Sequence, residues 1–150
     1  MDQQVENAIP PGVDIHRPAL GIRYPWIELV LRGIKTIEVR NWKTAYRGKL
    51  YLYASRQPAD TKYAAERMRA HAFDLKSLPR AAVVGEIELT NIRLATERDS
   101  DAAQVPAEFL SGNYAWELAN PIRYEEPLPA LVKPFGSWFY PFARKNTDKG

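Results

Sequence analysis

Residues 33–40 read Gly-Ile-Lys-Thr-Ile-Glu-Val-Arg (GIKTIEVR), and this stretch decides how the rest of the chain is interpreted. The segment before it, WIELVLR at 26–32, spaces its apolar residues as a helix does. The glycine that opens the stretch suits the left-handed conformation in which helices commonly end. The following residues alternate as in a strand, so Glu38 and Arg40 share one face, and Lys35 lies in the connection just before them.

The grouping of a lysine, a carboxylate and an arginine has two interpretations, and the spacing alone leaves both open. The group can bind a phosphate or the polar edge of a base, or the carboxylate can tune Lys35 for proton transfer. It can equally be an ion-pair network on the protein surface.

Basic residues are concentrated in the part of the chain that contains this stretch. The 150 residues carry 21 basic and 18 acidic side chains, a net charge of +3. Residues 17–80 contribute +9 and residues 81–130 contribute −6. Solvated surface charge would give the same count, but aromatic residues are interleaved with the basic ones: Tyr24, Trp26, Trp42, Tyr46, Tyr51 and Tyr53. Cations attract phosphates and aromatic faces stack on unpaired bases, so the block favours a nucleic-acid partner.

The composition excludes several kinds of site. The absence of cysteine excludes disulfides, thiolate zinc sites and a cysteine nucleophile. His16 and His71 cannot form a histidine-rich metal site unaided. No apolar run reaches the roughly 18 residues that a membrane span requires, and no signal peptide is visible. We therefore expect a cytoplasmic protein, monomeric by preference, with no cofactor, no metal and no membrane partner.

Short strands are predicted along most of the chain. They cover ALGIRY (19–24), IKTIEVRNW (34–42), KLYLYAS (49–55), AAVVGEIELTNIRL (81–94, bent near Gly85), NYAWELAN (113–120), PIRYEEPLP (121–129) and GSWFYPF (136–142). A further helix is predicted over 60–72, and a loop or short helix over 99–112. The pattern predicts an α+β, mostly β fold, a small barrel of five to six strands with two to three flanking helices. Residues 1–17 are expected to be a flexible leader, 18–145 the domain and 146–150 a flexible tail.

The sequence resembles a known family at several points. GIKTIEVR matches the GxKxxExR signature of the ASCH domain, a branch of the PUA-like superfamily. The flanking Pro25-Trp26 and Asn41-Trp42 resemble the same family, as do VVGEIELTNI (83–92) and GSWF (136–139). The resemblance covers roughly residues 18–142. It implies a PUA-like β-barrel with helices at its rim, a basic cleft beside the signature, and binding of RNA or other nucleic acids, including modified bases.

Some small members of this family are enzymes, which raises a second interpretation. One is an amidohydrolase of N4-acylated cytidine, and another is a ribonuclease. By resemblance, Lys35 matches the lysine that the amidohydrolase uses as its essential amine. Glu38 stands where that enzyme has threonine, which weakens the deacylation hypothesis, although Glu86 or Glu88 could place a carboxylate near the cleft. The candidate catalytic residues are Lys35 and Glu38.

The candidate nucleic-acid-binding residues surround the signature: Tyr24, Trp26, Arg40, Trp42, Lys43, Arg47, Ser55 and Arg56. Trp26 can also be core or cleft wall, and Trp42 can either stack on a base or pack inside. Three functions stay open at this point. They are a module that binds RNA or single-stranded DNA, a hydrolase that uses Lys35, and a protein-interaction barrel.

Overall fold

The computed structural model describes residues 9–143. The start of the predicted leader, residues 1–8, and the predicted tail, residues 146–150, lie outside the described residues. The described part of the leader packs against the sheet. Val13 and Ile15 contact an apolar cluster, and the backbone N–H of Asp14 donates to the Tyr51 hydroxyl at 2.7 Å.

One curled six-stranded sheet forms the body of the described chain, in the order β2-β5-β4-β3-β1-β6. The strands are β1 (Ala19–Ile22), β2 (Ile37–Arg40), β3 (Gly48–Ala54), β4 (Ala82–Leu94), β5 (Tyr114–Leu128) and β6 (Trp138–Phe139). β1 runs parallel to β3, and the other neighbouring pairs are antiparallel. The predicted α+β class and the number of strands are confirmed, with the sheet curled into a half-barrel.

Three α-helices flank the sheet within residues 9–143: α1 (Trp26–Leu31), α2 (Lys62–Ala70) and α3 (Ser100–Ala103). α1 is followed by Gly33 at φ +77°, the left-handed position that the sequence predicts. α2 begins after Thr61, whose hydroxyl accepts a hydrogen bond from the backbone N–H of Ala64 at 3.1 Å. The predicted loop or short helix over 99–112 contains α3.

Irregular pairing bends the long strands, and it corrects one prediction. The register of β4 shifts beside Gly85, where an added Cβ would overlap the carbonyl oxygen of Ile122. The two strands predicted over 113–120 and 121–129 are one strand, β5. The pairing with β4 shifts register opposite Asn120 and Pro121, so the missing N–H of the proline interrupts no regular ladder.

The main apolar core lies between the sheet and α1. It contains Leu20, Ile22 and Tyr24, which the alternation of the first strand predicts to share a face, together with Trp116. A second cluster, which includes Tyr51, Tyr53 and Phe142, lies apart from it. A third cluster around Ile37 and Ala103 joins β2 to α3. The motif strand β2 is therefore fixed both by β5 and by α3.

Candidate functional site

The turn after α1 places Lys35. The carbonyl oxygen of Leu29 accepts hydrogen bonds from the backbone N–H groups of Ile34 and Lys35, at 2.9 and 3.0 Å. The chain is thereby folded back onto the helix before β2 begins. The Lys35 ammonium then reaches α3, where it donates to the carbonyl oxygen of Ala103 at 2.5 Å. Lys35 is 2% exposed, so its charged group is held inside the protein.

Glu38 lies between the two cations of the motif. Its Oε1 is 3.5 Å from the Lys35 Nζ, and its Oε2 is 2.8 Å from the Arg40 Nη2. Glu38 is itself only 7% exposed. The predicted sharing of one strand face by Glu38 and Arg40 is confirmed, and the motif residues form a cation–carboxylate–cation cluster in which Lys35 and Glu38 are buried. Two cations against one carboxylate leave this cluster with a net positive charge.

Burial and charge act on the two titratable groups in different ways. Burial lowers the pKa of Lys35 from its ordinary value, and the attraction of Glu38 offsets this only in part. Burial raises the pKa of Glu38, but the charges and hydrogen bonds of Arg40 and Lys35 outweigh it, so the pKa lies below its usual range. Glu38 is therefore a carboxylate at neutral pH, and Lys35 gives up its proton more readily than a solvated lysine does.

Arg40 ties the motif to two distant segments. Its Nη2 donates to the carbonyl oxygen of Gly21 in β1, and its Nη1 donates to the Ser137 hydroxyl, both at 3.0 Å. The backbone N–H of Gly21 also donates to the carbonyl oxygen of Ser137 at 2.8 Å. β1, β2 and the segment that enters β6 are therefore fixed together at one point.

A cavity of about 710 Å³ opens beside this point, and we call it the basic cavity. Four cationic side chains line it: Arg23, Arg40, Arg56 and Lys133. Glu38 is the carboxylate in the lining. Ser55, Gln57 and Ser137 add polar groups to the lining. Such a surface, with arginine forks and hydroxyls around a positive potential, is suited to phosphate oxygens.

A second cavity, of about 630 Å³, lies on the other side of Trp26 and Glu38, which line both. We call it the aromatic cavity. Its rings are Trp26, Tyr63 and Phe109, with Val39, Val105 and Pro106 beside them. Its charged residues are Lys35, Lys62, Glu38, Glu66 and Glu108. The Trp26 and Tyr63 rings are stacked with centroids 6.1 Å apart, and the Lys35 Nζ is 5.4 Å from the Trp26 centroid.

The structure brings together part of the predicted site. Lys35, Glu38 and Trp26 line the aromatic cavity, and Glu38, Trp26, Arg40, Ser55 and Arg56 line the basic cavity. Tyr24 lies elsewhere. It is 1% exposed in the main core, and its hydroxyl donates to the carbonyl oxygen of Pro79. Its side chain lines neither cavity.

Trp42, Lys43 and Arg47 also line neither cavity. The Trp42 ring packs edge-on against Trp116, at 4.8 Å between centroids, and against Trp138, at 5.8 Å. Lys43 and Arg47 are exposed on the connection between β2 and β3. The Arg47 guanidinium donates to the carbonyl oxygens of its own turn at 2.7 Å.

The carboxylates expected near the cleft lie elsewhere as well. Glu86 accepts hydrogen bonds from Arg17 and Tyr124, and Glu88 accepts one from Asn120. Neither lines either cavity. The carboxylate that the structure provides beside Lys35 is Glu38.

Sequence reasoning missed several residues of the site: Arg23, Tyr63, Phe109, Lys133 and Ser137. Arg23 directly follows the first strand, and Ser137 stands in the quoted GSWF segment, so both carried a local signal. The others are far from the motif in sequence, and the fold alone brings them to it.

The sequence model of the ASCH domain matches residues 20–128, which include the motif, α1, α2 and most of the sheet. The chain belongs to the ASCH domain family. In the crystal structure of ASCH from Zymomonas mobilis, 93% of that chain and 91% of this one superpose with a TM-score of 0.56 and 17% identity. A tyrosine-to-phenylalanine variant of the Zymomonas mobilis protein gives 0.52 and 14%, over 94% of that chain and 89% of this one. This likeness shows a shared ASCH fold.

Two curated relatives share a short segment with this ASCH chain. They are activating signal cointegrator 1 of Homo sapiens and of Mus musculus, each 44% identical over 36 residues. The segment is 24% of this chain and 6% of either relative. Within residues 9–143, no helix combines the length and the apolar character of a membrane span, and no three His, Asp or Glu side chains form a metal-binding group.

Proposed function

We propose that this ASCH domain binds single-stranded nucleic acid, RNA in preference, with phosphates in the basic cavity and an unpaired base in the aromatic cavity. The observation that carries the proposal is the excess of cations in the basic cavity directly beside the GIKTIEVR motif. Its carboxylate, Glu38, is already neutralised by Arg40 and Lys35, so the outer cations Arg23, Arg56 and Lys133 face the cavity without a carboxylate from its lining.

The phosphate assignment rests on geometry as well as charge. Arg40 is held by Glu38, Gly21 and Ser137, so its role is to fix the cavity wall. Arg23 and Arg56 are exposed and free to move toward a strand that enters. Such contacts supply affinity that depends on salt and carries no sequence information. A strand bound in this way is positioned by its backbone and is read elsewhere.

The base assignment rests on the aromatic cavity. Its carboxylates outnumber its lysines, which disfavours a phosphate there. Its three rings provide the flat, apolar faces on which an unpaired base stacks. A base that enters beside Trp26 meets the Lys35 ammonium and the Glu38 carboxylate, a donor and an acceptor that can contact its polar edge. This pairing gives the cavity the means to distinguish a modified base.

A binding experiment tests the proposal. Fluorescence anisotropy with a short unstructured RNA should show binding at about 50 mM salt that weakens steeply as salt rises. Arg56→Ala should weaken binding and reduce the slope of log affinity against log salt by about one.

Arg69→Ala is the matched control, because Arg69 is also exposed and lines neither cavity. It removes the same charge from α2 and should leave the slope nearly unchanged. No detectable binding of RNA or single-stranded DNA by the unaltered protein would contradict the proposal. So would equal effects of the two substitutions.

One observation favours a second function, hydrolysis. Lys35 is a buried amine with a lowered pKa beside a carboxylate, and it lines a cavity that can hold a nucleoside. The lowered pKa makes the neutral amine easier to reach, and that form can take a proton or attack a carbonyl carbon. In this candidate function, Glu38 orients Lys35, and the substrate is an acylated cytidine or an RNA phosphodiester.

The two functions are separated by incubating the protein with N4-acetylcytidine and with end-labelled RNA. Turnover that Lys35→Met abolishes would support the hydrolase. Binding without turnover in either assay supports the binding module alone. Lys62→Met is the control, because Lys62 also lines the aromatic cavity but is exposed.

A further inference from the structure

One aromatic side chain stands in solvent at the rim of the basic cavity. Phe135 is 94% exposed, more than any other large apolar residue among those described as exposed. Its neighbours on both sides line the basic cavity: Lys133, Pro134, Gly136 and Ser137. The backbone of this loop therefore follows the rim, while the phenyl ring makes almost no contact with the rest of the protein.

The loop is fixed at the end nearest the motif. Ser137 is held by its hydrogen bonds with Arg40 and Gly21. Gly136 has φ +88°, a left-handed conformation that turns the chain directly after Phe135. The exposed ring is thus two residues from a point that is tied to the GIKTIEVR cluster.

A ring in this place matches a particular occupant. Fully exposed phenylalanine loses the free energy that burial of its surface would give, so a partner that covers it gains that contribution. The partner must also tolerate the cations that line the basic cavity, one of which, Lys133, lies in this loop. A polyanion with flat apolar faces meets both conditions, and a single-stranded nucleic acid is such a polyanion.

We infer that Phe135 is a stacking residue, on which the strand places an unpaired base next to the phosphates held in the basic cavity. The inference rests on the proposed function and adds a contact outside both cavities. Base stacking on an aromatic ring is tolerant of sequence, so Phe135 contributes affinity for any unpaired strand. It contributes little for duplexes, whose bases are already stacked on each other.

Substitution of Phe135 tests this inference directly, since an exposed ring can be removed without disturbing the core. Phe135→Ala should weaken binding of a short unstructured RNA about tenfold, and leave the slope of log affinity against log salt unchanged. Phe135→Tyr and Phe135→Trp should restore affinity. Affinity for inorganic polyphosphate, which has the charge and no bases, should be the same in all variants.

Leu94→Ala is the control, because Leu94 is another exposed apolar residue, at 63%, and lines neither cavity. It should leave RNA affinity unchanged. A 2-aminopurine base within the RNA reports the contact itself: its fluorescence should be quenched on binding to the unaltered protein and less so with Phe135→Ala.

The outcomes separate this inference from the proposed function. Tight RNA binding that Phe135→Ala leaves unaltered would overturn the inference alone, and would leave the ring to a protein partner. An equal loss of polyphosphate and RNA affinity would also overturn it, because the ring would then only shape the basic cavity. Failure of the unaltered protein to bind RNA would overturn both.

Discussion

The basic and aromatic cavities share a wall and differ in chemistry. Trp26 and Glu38 line both, and the volumes are similar, at about 710 and 630 Å³. Cations predominate in the basic cavity, whereas rings and carboxylates predominate in the aromatic cavity. The alternation of β2 produces this division: Arg40 faces the basic cavity, while its neighbour Val39 faces the aromatic cavity.

One short motif thus contributes to two surfaces of different chemistry. Its arginine fixes the wall of the basic cavity, and its buried lysine lines the aromatic cavity. The Glu38 carboxylate lines both cavities and pairs with both cations, Arg40 and Lys35. Substitutions at Glu38, at the start of α3, in the aromatic cavity and at Lys35 should have progressively smaller effects.

The largest effect is expected from removal of the Glu38 carboxylate, which lines both cavities. Glu38→Ala leaves the buried Lys35 cation and the partly buried Arg40 cation without their carboxylate, which should lower the free energy of unfolding by about 3–5 kcal/mol. Urea denaturation measures it. Glu66→Ala removes a half-buried carboxylate from the aromatic cavity alone and should cost less than about 1 kcal/mol. Similar losses of unfolding free energy in the two variants would contradict the conclusion that Glu38 stabilises the Lys35 and Arg40 cations.

A smaller effect is expected at Asp99, which directly precedes α3. Asp99 accepts hydrogen bonds from Arg93 at 2.8 and 2.9 Å and from the backbone N–H of Thr96 at 2.8 Å. These interactions, with Arg93 first, lower the pKa of Asp99 to about 2. Asp99→Asn should therefore cost about 1–2 kcal/mol at neutral pH.

The loss of stability in Asp99→Asn should depend on pH in a defined direction. The stabilisation from Asp99 is present above the ordinary carboxyl pKa of 3.8 and is lost as the pH falls toward 2. The stability difference between the unaltered protein and Asp99→Asn should therefore shrink over that range. Asp101→Asn, which removes an exposed carboxylate on α3, is the control and should leave stability at neutral pH nearly unchanged. A difference that does not vary with pH would contradict the assignment.

Removal of a ring sharpens the contrast in chemistry. Tyr63→Ala should weaken RNA binding about fivefold, because a stacking face is lost, while the salt slope stays the same. Tyr140→Ala removes an exposed tyrosine that lines neither cavity, and should leave affinity unchanged. A reduced salt slope in Tyr63→Ala would mean that the aromatic cavity also holds phosphates.

The smallest effect is expected from the titration of Lys35. Its pKa is lowered by burial, so between that lowered value and the ordinary 10.5 the unfolded chain binds more protons than the folded one. Stability should therefore rise with pH in this window. Urea denaturation between about pH 7 and 9.5 should show that the rise is smaller in Lys35→Met. Parallel pH profiles would indicate that Lys35 titrates as a solvated lysine.

The sequence predicted the parts of the site that depend on residues close together in the chain and missed the contacts between distant segments. The helix end at Gly33 and the shared face of Glu38 and Arg40 follow from local spacing, and both are confirmed. The contacts of Lys35 with Ala103 and of Arg40 with Ser137 join residues separated by 68 and 97 positions. No local pattern encodes such pairings, because they depend on how the sheet curls.

The same reasoning applies to individual aromatic residues. Tyr24 and Trp42 lie within residues 17–80, where the excess of basic residues favoured a binding surface. Tyr24 is nevertheless buried in the main core, and Trp42 packs edge-on against Trp116. Phe135 lies outside residues 17–80 and is the most exposed ring described. Composition locates charge well, but exposure of a ring is decided by tertiary packing.

The most direct test of the central claim is an NMR titration of the isotope-labelled protein with a short unstructured RNA. The account predicts chemical-shift changes at the side-chain N–H groups of Arg23 and Arg56 and at the backbone of the loop that carries Phe135. The side chain of Arg69 should not respond. Changes confined to Lys43 and Arg47, on the connection between β2 and β3, would contradict the claim that the basic cavity holds the strand.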